Sequence, residues 1–81
     1  MKLLVTGGLG FIGSNFILKL LNETNEFDII NVDAELYSAN KKNLDAIKNH
    51  KKYEFVKGNI TNKRLMEELI SKCDAVVNFA A

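Results

Sequence analysis

The sequence of 81 residues contains no proline and no tryptophan, and its one cysteine is Cys73. A single cysteine cannot form a disulfide within the chain, and it gives no support to a cysteine-based metal site. We therefore expect no bound metal and a reducing, cytoplasmic setting, in which free thiols are the rule.

The sequence also lacks an excess of either charge. Lysine and arginine number 11 against 10 aspartate and glutamate residues, which gives a formal net charge of +1. Nucleic acids and anionic membrane surfaces attract strongly basic proteins, so this balance predicts neither partner. No apolar run approaches the roughly 18 residues of a membrane-spanning helix, and the run at residues 3–5 is too short for a signal peptide.

Glycine is present in an uneven arrangement. Four of the five glycines, at positions 7, 8, 10 and 13, fall close together near the start of the chain. Glycine inside a helix or strand costs about 0.5–1 kcal/mol relative to alanine. The cluster therefore indicates a loop in which the backbone turns sharply or is approached closely.

Apolar periodicity predicts alternating strands and helices along the chain. Four apolar runs predict strands at residues 2–6, 27–33, 53–56 and 75–81. Helical spacing begins at Phe11, again after Ser38 or Asn40, and again after Thr61 or Asn62. The second helix holds Leu44, Ala46 and Ile47, and the third has an apolar stripe formed by Leu65, Met66, Leu69, Ile70 and Cys73.

The resulting order, βαβαβαβ, predicts an α/β fold. A helical crossover returns the chain to the same end of a sheet, so successive strands run parallel. The strands are continuously apolar rather than alternating, which indicates a sheet covered on both faces.

The glycine cluster joins the first predicted strand to the first predicted helix. In the spacing Gly7, Gly10, Gly13, the first glycine permits a tight turn and the second lets backbone amides reach a pyrophosphate. Gly13 is expected to let the helix pack close to the sheet. Gly8, Gly10 and Gly13 also satisfy the G-x-G-x-x-G form. The amino end of the helix adds unpaired N–H donors and about half a positive charge, which favours an anion.

Asp33 supplies the second part of a dinucleotide-binding pattern. It ends the second predicted strand, 20 residues after Gly13, where a carboxylate accepts hydrogen bonds from the adenosine ribose. Such a carboxylate repels a 2′-phosphate, and residues 34–39 contain no arginine. This favours NAD over NADP. The alternative, a structural turn beside an ordinary surface acid, leaves the spacing unexplained.

Together these features predict a doubly wound parallel sheet of the Rossmann type with strand order 3-2-1-4. Residues 1–81 then form the N-terminal part of an NAD-binding domain.

Several segments resemble the extended short-chain dehydrogenase/reductases, the NAD-dependent epimerase/dehydratase family. These are Thr-Gly-Gly-x-Gly-Phe-Ile-Gly-Ser at residues 6–14, Asn-Val-Asp at 31–33, Gly-Asn-Ile-Thr at 58–61 and Val-Asn-Phe-Ala-Ala at 77–81. Residues 14–16, the pattern from Asp33 to Asn40, and residues 53–58 resemble the nucleotide-sugar 4,6-dehydratases within that family. The resemblance covers the whole chain.

The resemblance implies roles for individual residues. Phe11 and Ile12 would cover the pyrophosphate. The ribose pocket would be lined by Ala34, Glu35 and Leu36, the adenine bracketed by Asn59 and Ile60, and the nicotinamide side underlain by Phe79, Ala80 and Ala81. The family usually has Asp at the position of Asn59, Leu-Thr at Glu35-Leu36, and often Gly at Ala39.

The resemblance also implies an activity for the complete protein. NAD oxidises the sugar at C4, water leaves across C5 and C6, and the hydride returns to C6. A nucleotide-sugar substrate and a homodimer are implied with it, and so are a substrate domain and a catalytic motif that lie outside the chain. Two Tyr-x-x-x-Lys spacings, Tyr37 with Lys41 and Tyr53 with Lys57, occur in the chain. Neither falls on a predicted helix, so we expect no catalytic residue here. An epimerase or decarboxylase of the same family and a non-catalytic dinucleotide-binding module remain alternatives.

Overall fold

The computed structural model describes residues 1–34, 44–45, 47 and 49–79. Within them the elements follow in the order β1 (Lys2–Thr6), α1 (Phe11–Glu23), β2 (Asp28–Asp33), β3 (Tyr53–Lys57), α2 (Lys63–Ser71) and β4 (Ala75–Asn78). The strands form a four-stranded sheet in the order β3-β2-β1-β4, and each neighbouring pair is parallel. This confirms the predicted α/β class and the strand order 3-2-1-4.

The strand register places the carboxyl ends of all four strands at one edge of the sheet. Thr6 in the central strand lies opposite Val32 on one side and Asn78 on the other. Asp33 lies opposite Lys57 at the same edge. The loops that leave the strands there are consequently close to one another.

Two apolar clusters cover the two faces of the sheet. One cluster packs the sheet against α1 and includes Val5, Ile17, Ile29 and Tyr53. The other packs the opposite face against α2 through Leu4, Ile30, Val32 and Leu69. Side chains alternate between the faces along each strand, so the buried runs of β1 and β2 supply both clusters. The predicted two-sided coverage is confirmed for these central strands.

The segment between β2 and β3 is described only in part. Leu44, Asp45 and Ile47 have 3₁₀ geometry, and Leu44 and Ile47 are buried in the same cluster as α1. The predicted cap positions Ser38 and Asn40, together with Ala46, lie outside the described residues.

The apolar stripe predicted for the third helix, which is α2 in the structure, is too wide. Leu69 is buried with 5% of its surface exposed, whereas Ile70 is 46% exposed. With about 3.6 residues per turn, Ile70 falls at the rim of the stripe centred on Leu65 and Leu69. The helix begins after Asn62, whose side-chain oxygen accepts from the Leu65 N–H, and ends at Ser71. Cys73 therefore lies beyond the helix, half-buried against the second cluster.

Strand β4 is shorter than predicted and ends at Asn78 rather than at residue 81. Its partner β1 ends at Thr6, where Gly7 adopts a left-handed φ of 73° and turns the chain away. The last bond between the two segments runs from the Phe79 N–H to the Thr6 carbonyl, 2.8 Å. Ala80 and Ala81 lie outside the described residues. None of the helices in the described ranges is long and apolar enough to cross a membrane.

Matched isoleucine substitutions compare a core position in β2, Ile29, with a position at the exposed rim of α2, Ile70. Ile29→Val removes a methylene from a side chain that is 1% exposed and should lower the free energy of unfolding by about 0.5–1.5 kcal/mol. Ile70→Val removes the same group from an exposed position and should change it by less than about 0.5 kcal/mol. Urea denaturation followed by circular dichroism measures both, and equal losses would contradict the described exposure of Ile70.

Candidate cofactor-binding site

The loop between β1 and α1 begins with a sharp turn at Gly7. Its φ of 73° lies in the left-handed region that side chains disfavour. The Gly7 N–H donates to the Val32 carbonyl at 3.0 Å, and the Gly7 carbonyl accepts from the Gly10 N–H at 3.3 Å. The turn role predicted for Gly7 is therefore present in the structure.

Gly8 and Gly13 are required by close packing of the loop. A Cβ on Gly13 would lie 2.6 Å from the Gly7 oxygen and 2.9 Å from the Gly8 Cα. Gly13 thus brings the helix close to the loop itself, rather than to the sheet as predicted, because the loop lies between them. A Cβ on Gly8 would lie 2.3 Å from Asn31 Oδ1 and 2.6 Å from Ile17 Cδ1, so Gly8 has a packing role that sequence reasoning missed.

Gly10 differs from both of these glycines. Its φ of −70° and ψ of 169° are open to any residue, and a Cβ there would meet only the Gly7 oxygen at an ordinary 3.6 Å. The packing of the described residues therefore gives no reason for glycine at this position. The space over Gly10 is what a Cβ would fill, and it can admit a group that approaches the backbone closely.

The amino end of α1 opens onto this space. Within residues 1–34, which are described without a gap, no side chain caps the helix and its first turn contains no acidic residue. Helix α2, by contrast, is capped by Asn62. Unpaired first-turn amides and the helix dipole favour an anion. The first two residues of α1 are Phe11, which is 79% exposed, and Ile12, which is 69% exposed. Two large apolar side chains therefore border the amino end of the helix.

Two side chains of β2 hold the loop in place. The Leu9 N–H donates to Asp33 Oδ2 at 3.0 Å, and the Gly8 N–H donates to Asn31 Oδ1 at 3.0 Å. Asn31 Nδ2 in turn donates to the Tyr53 hydroxyl oxygen at 3.1 Å. Asp33 therefore lies beside the glycine loop, as its spacing predicted, and also contacts it. Asn31 was not predicted to act here, although a polar residue between Ile30 and Val32 in a buried strand was a visible signal.

Burial raises the pKa of the Tyr53 phenol, the hydrogen bond with Asn31 lowers it, and the negative charge of Asp33 raises it. The net upward direction keeps the phenol protonated at neutral pH. Tyr53 and Lys57 lie on one strand, β3, where residues at this spacing are about 13 Å apart. The Tyr53–Lys57 spacing is thus not a catalytic pair of one helix face. Tyr37 and Lys41 lie outside the described residues.

The turn after β3 adjoins the end of β2. The Gly58 N–H donates to the Asp33 carbonyl at 3.0 Å, which places the exposed residues Asn59 and Ile60 beside the end of β2. Asn59 Oδ1 accepts from both the N–H and the hydroxyl of Thr61, each at 3.0 Å. An adenine amino group would compete with Thr61 for this oxygen, whereas the aspartate usual in the family has a second carboxylate oxygen.

The remaining predicted site residues follow β2 and β4. Ala34 is half-buried directly after Asp33. The Phe79 ring packs against the Phe16 ring of α1, with 5.3 Å between centroids, and the Thr6 hydroxyl bonds Asn78 Oδ1 nearby. Glu35, Leu36, Ala80 and Ala81 lie outside the described residues. In the ranges that are described, no three histidine, cysteine or acidic side chains are grouped to hold a metal.

The sequence matches a known protein family over nearly the whole length of the chain. The family described as GDP-mannose 4,6 dehydratase matches residues 4–81. The chain belongs to this family. Because the match begins within β1 and runs through β4, it includes the glycine loop, Asp33 and the turn after β3.

Individual members of the GDP-mannose 4,6 dehydratase family are similar to this chain in sequence and structure. The chain is 41% identical to the low-salt glycan biosynthesis protein Agl12 of Haloferax volcanii, over 100% of the chain and 26% of the relative. It is 41% identical to the dTDP-glucose 4,6-dehydratase of Mycolicibacterium smegmatis, over 100% and 24%. The crystal structure of dTDP-glucose 4,6-dehydratase from Bacillus anthracis in complex with NAD matches with a TM-score of 0.93 and 49% identity, over 100% and 27%.

The chain therefore spans about a quarter of the length of the curated relatives it matches. The matching quarter is the four-stranded sheet together with the loops at its carboxyl edge.

Paired alanine substitutions distinguish the two kinds of glycine in the loop. Alanine in place of a helical glycine ordinarily stabilises by up to about 1 kcal/mol, but Gly13→Ala forces a Cβ into backbone atoms and should lower the free energy of unfolding by about 1–3 kcal/mol. Gly10→Ala meets open space and should cost less than about 1 kcal/mol, the modest preference for glycine at a helix cap. Urea unfolding of both variants measures the difference, and a larger loss at Gly10 would contradict the described packing.

Proposed function

We propose that this chain is the N-terminal, NAD-binding part of a dTDP-glucose 4,6-dehydratase. The observation that carries the proposal is Gly10, a glycine in open space at the uncapped amino end of α1. A pyrophosphate approaching the backbone accounts for a glycine that the surrounding packing does not require. The 49% identity to an NAD-bound dTDP-glucose 4,6-dehydratase supports the choice of enzyme.

The residues present fit the dinucleotide along the carboxyl edge of the sheet. The pyrophosphate would lie over Gly10, against the amino end of α1, with Phe11 and Ile12 covering it; Gly7 and Gly13 shape the loop. Asp33 would accept from the adenosine ribose. The ribose pocket would be completed by Ala34, Glu35 and Leu36, the adenine bracketed by Asn59 and Ile60, and the nicotinamide side underlain by Phe79, Ala80 and Ala81.

The negative charge of Asp33 sets the preference among dinucleotides. A 2′-phosphate on the ribose would be placed beside this carboxylate and be repelled by it, so NAD is favoured over NADP. Asp33 also accepts from the Leu9 N–H, which ties the position of the carboxylate to that of the phosphate-binding loop. The same side chain therefore contributes to cofactor choice and to loop geometry.

When bound, NAD supplies the hydride acceptor for oxidation at C4 of the sugar and the hydride donor that completes the 4-keto-6-deoxy product. This chain's own contribution is to bind and orient the dinucleotide. The proton acceptor for the sugar hydroxyl and the acid–base pair of the elimination are proposed to lie outside residues 1–81, with the substrate-binding domain. The complete protein is proposed to be a cytoplasmic homodimer that takes a nucleotide sugar and binds neither nucleic acid nor membrane.

Cofactor titrations test the role of Asp33. The protein in which this chain occurs should bind NAD more tightly than NADP by about tenfold or more, the effect of about 1.4 kcal/mol. Asp33→Asn keeps an oxygen for the Leu9 N–H but removes the charge, so the NAD/NADP ratio should fall toward one. Asp33→Ala should narrow the same gap and also weaken both cofactors, because the loop loses its acceptor. Isothermal titration or ligand-observed NMR gives the affinities.

Gly10→Ala is the matched control for this titration. It leaves Asp33 in place and should weaken NAD and NADP alike, so that their ratio is unchanged. Equal affinities of the unsubstituted protein for NAD and NADP would overturn the assignment of Asp33.

An activity assay tests the proposed reaction. The protein in which this chain occurs should convert dTDP-glucose to the 4-keto-6-deoxy sugar with NAD, and the 81-residue chain alone should not, because proton transfer from the sugar needs positioned acid and base groups. The 4-keto product is followed by its absorbance in alkali. Epimerised sugar without 4-keto product would identify an epimerase instead, and NAD binding without any turnover of nucleotide sugars would identify a binding module.

A further inference from the structure

The Asn31 side chain is a polar group in the apolar interior. It lies in β2, one of the two interior strands of the sheet, between Ile30 and Val32, and none of its surface is exposed. A buried amide without hydrogen-bond partners is destabilising because its polar atoms have lost their bonds to water, so each of its polar atoms needs a partner. Both have one: Oδ1 accepts from the Gly8 N–H, and Nδ2 donates to the Tyr53 hydroxyl.

The Gly8 N–H defines the orientation of the amide. A backbone N–H can only donate, so the atom that faces Gly8 must be the carbonyl oxygen. The NH₂ group then faces Tyr53, whose hydroxyl oxygen accepts. Rotating the amide by half a turn would place two donors against each other at Gly8. Tyr53 therefore satisfies the buried NH₂ group of Asn31 in the one orientation that can hold the loop.

Gly8 sits directly on this amide. A Cβ at Gly8 would lie 2.3 Å from Asn31 Oδ1 on one side and 2.6 Å from Ile17 Cδ1 on the other. The loop is thus clamped between β2 and α1 at Gly8, and the next amide, that of Leu9, is held by Asp33. Two consecutive backbone amides are fixed immediately before Gly10, the position open to a pyrophosphate.

We propose that Asn31, hydrogen-bonded to Tyr53, is a positioning residue that presets the phosphate-binding loop for the dinucleotide. Asn31 is enclosed beneath the loop, so it acts through Gly8 rather than by touching the ligand. A loop held in this way by Asn31 would spare the cost of ordering it when the dinucleotide binds. The inference rests on the proposed NAD-binding function only for its effect on affinity, since the effect on the loop can be measured without any ligand.

Amide exchange at the glycines measures the effect on the loop. Labelling the protein in which this chain occurs with ¹⁵N-glycine restricts the amide signals to glycines, and assignment of the Gly8 and Gly58 signals gives the exchange rate of each. Asn31→Leu keeps the approximate size of the side chain and removes the acceptor, and it should raise the exchange rate of the Gly8 amide about tenfold or more. The Gly58 amide, bonded to the Asp33 carbonyl, is the internal reference and should keep its rate. Ile30→Val, on the opposite face of β2, controls for general destabilisation.

Titrations of the same samples with NAD and with adenosine separate positioning from structural support. Asn31→Leu should weaken the binding of NAD about tenfold, the size of effect expected when the one hydrogen bond that orders the loop is lost. It should change the affinity for adenosine by less than about twofold, since adenosine has no pyrophosphate to contact the loop. Tyr53→Phe should act in the same direction with a smaller effect. General destabilisation, as in Ile30→Val, should leave the ratio of the two affinities unchanged.

Each outcome bears on one of the two proposals. Unchanged Gly8 exchange in Asn31→Leu, or NAD and adenosine weakened equally, overturns the positioning role. If Asn31→Leu does not fold, Tyr53→Phe decides in its place: unchanged Gly8 exchange and an unchanged ratio of NAD to adenosine affinity overturn it. Failure of the protein in which this chain occurs to bind NAD overturns the proposed function, and Gly8 exchange then still decides whether Asn31 holds the loop.

Discussion

The turn at Gly7 is the constraint on which the other features of this edge depend. Its left-handed backbone, anchored by the N–H bond to the Val32 carbonyl, ends β1 at Thr6. Because a strand cannot pair beyond the end of its partner, β4 ends at Asn78. The same turn carries the chain across the end of β2 before α1 begins at Phe11. A single glycine, in a backbone conformation that other residues seldom adopt, thus determines the shape of the edge at which the described candidate site residues lie.

The four glycines of this loop serve different physical needs. Gly7 is required by its φ, and Gly8 and Gly13 by contacts that a Cβ would violate. Gly10 is required by neither, and this is why it is the strongest sign of a ligand in the described residues. The distinction depends on the backbone angle at Gly7 and on distances between atoms in the folded chain. A sequence motif specifies neither, so it treats these positions alike although their roles differ.

Local periodicity was sufficient to predict most of the architecture. Apolar runs of strand length separated by helical spacing led to the parallel sheet, and the glycine loop together with Asp33 led to the Rossmann type with its order 3-2-1-4. The errors occurred where length or width depends on a neighbour: β4 stops where β1 stops, and Ile70 lies at the rim of the stripe on α2, where the sheet no longer covers it. The glycine loop was located correctly, because strand, turn and helix follow each other directly in the chain.

The sequence by itself determined the alternation of strands and helices, the place of the glycine loop and the family, since each depends on residues near one another in the chain or on a motif. Only the tertiary structure decided which atoms hold the loop. Asn31 contacts Gly8 and Tyr53 across 23 and 22 residues of sequence, and no periodicity encodes those distances. The parallel pairing of β1, β2 and β3 brings the three residues together, so the role of a buried amide became visible only once its two hydrogen-bond partners were located.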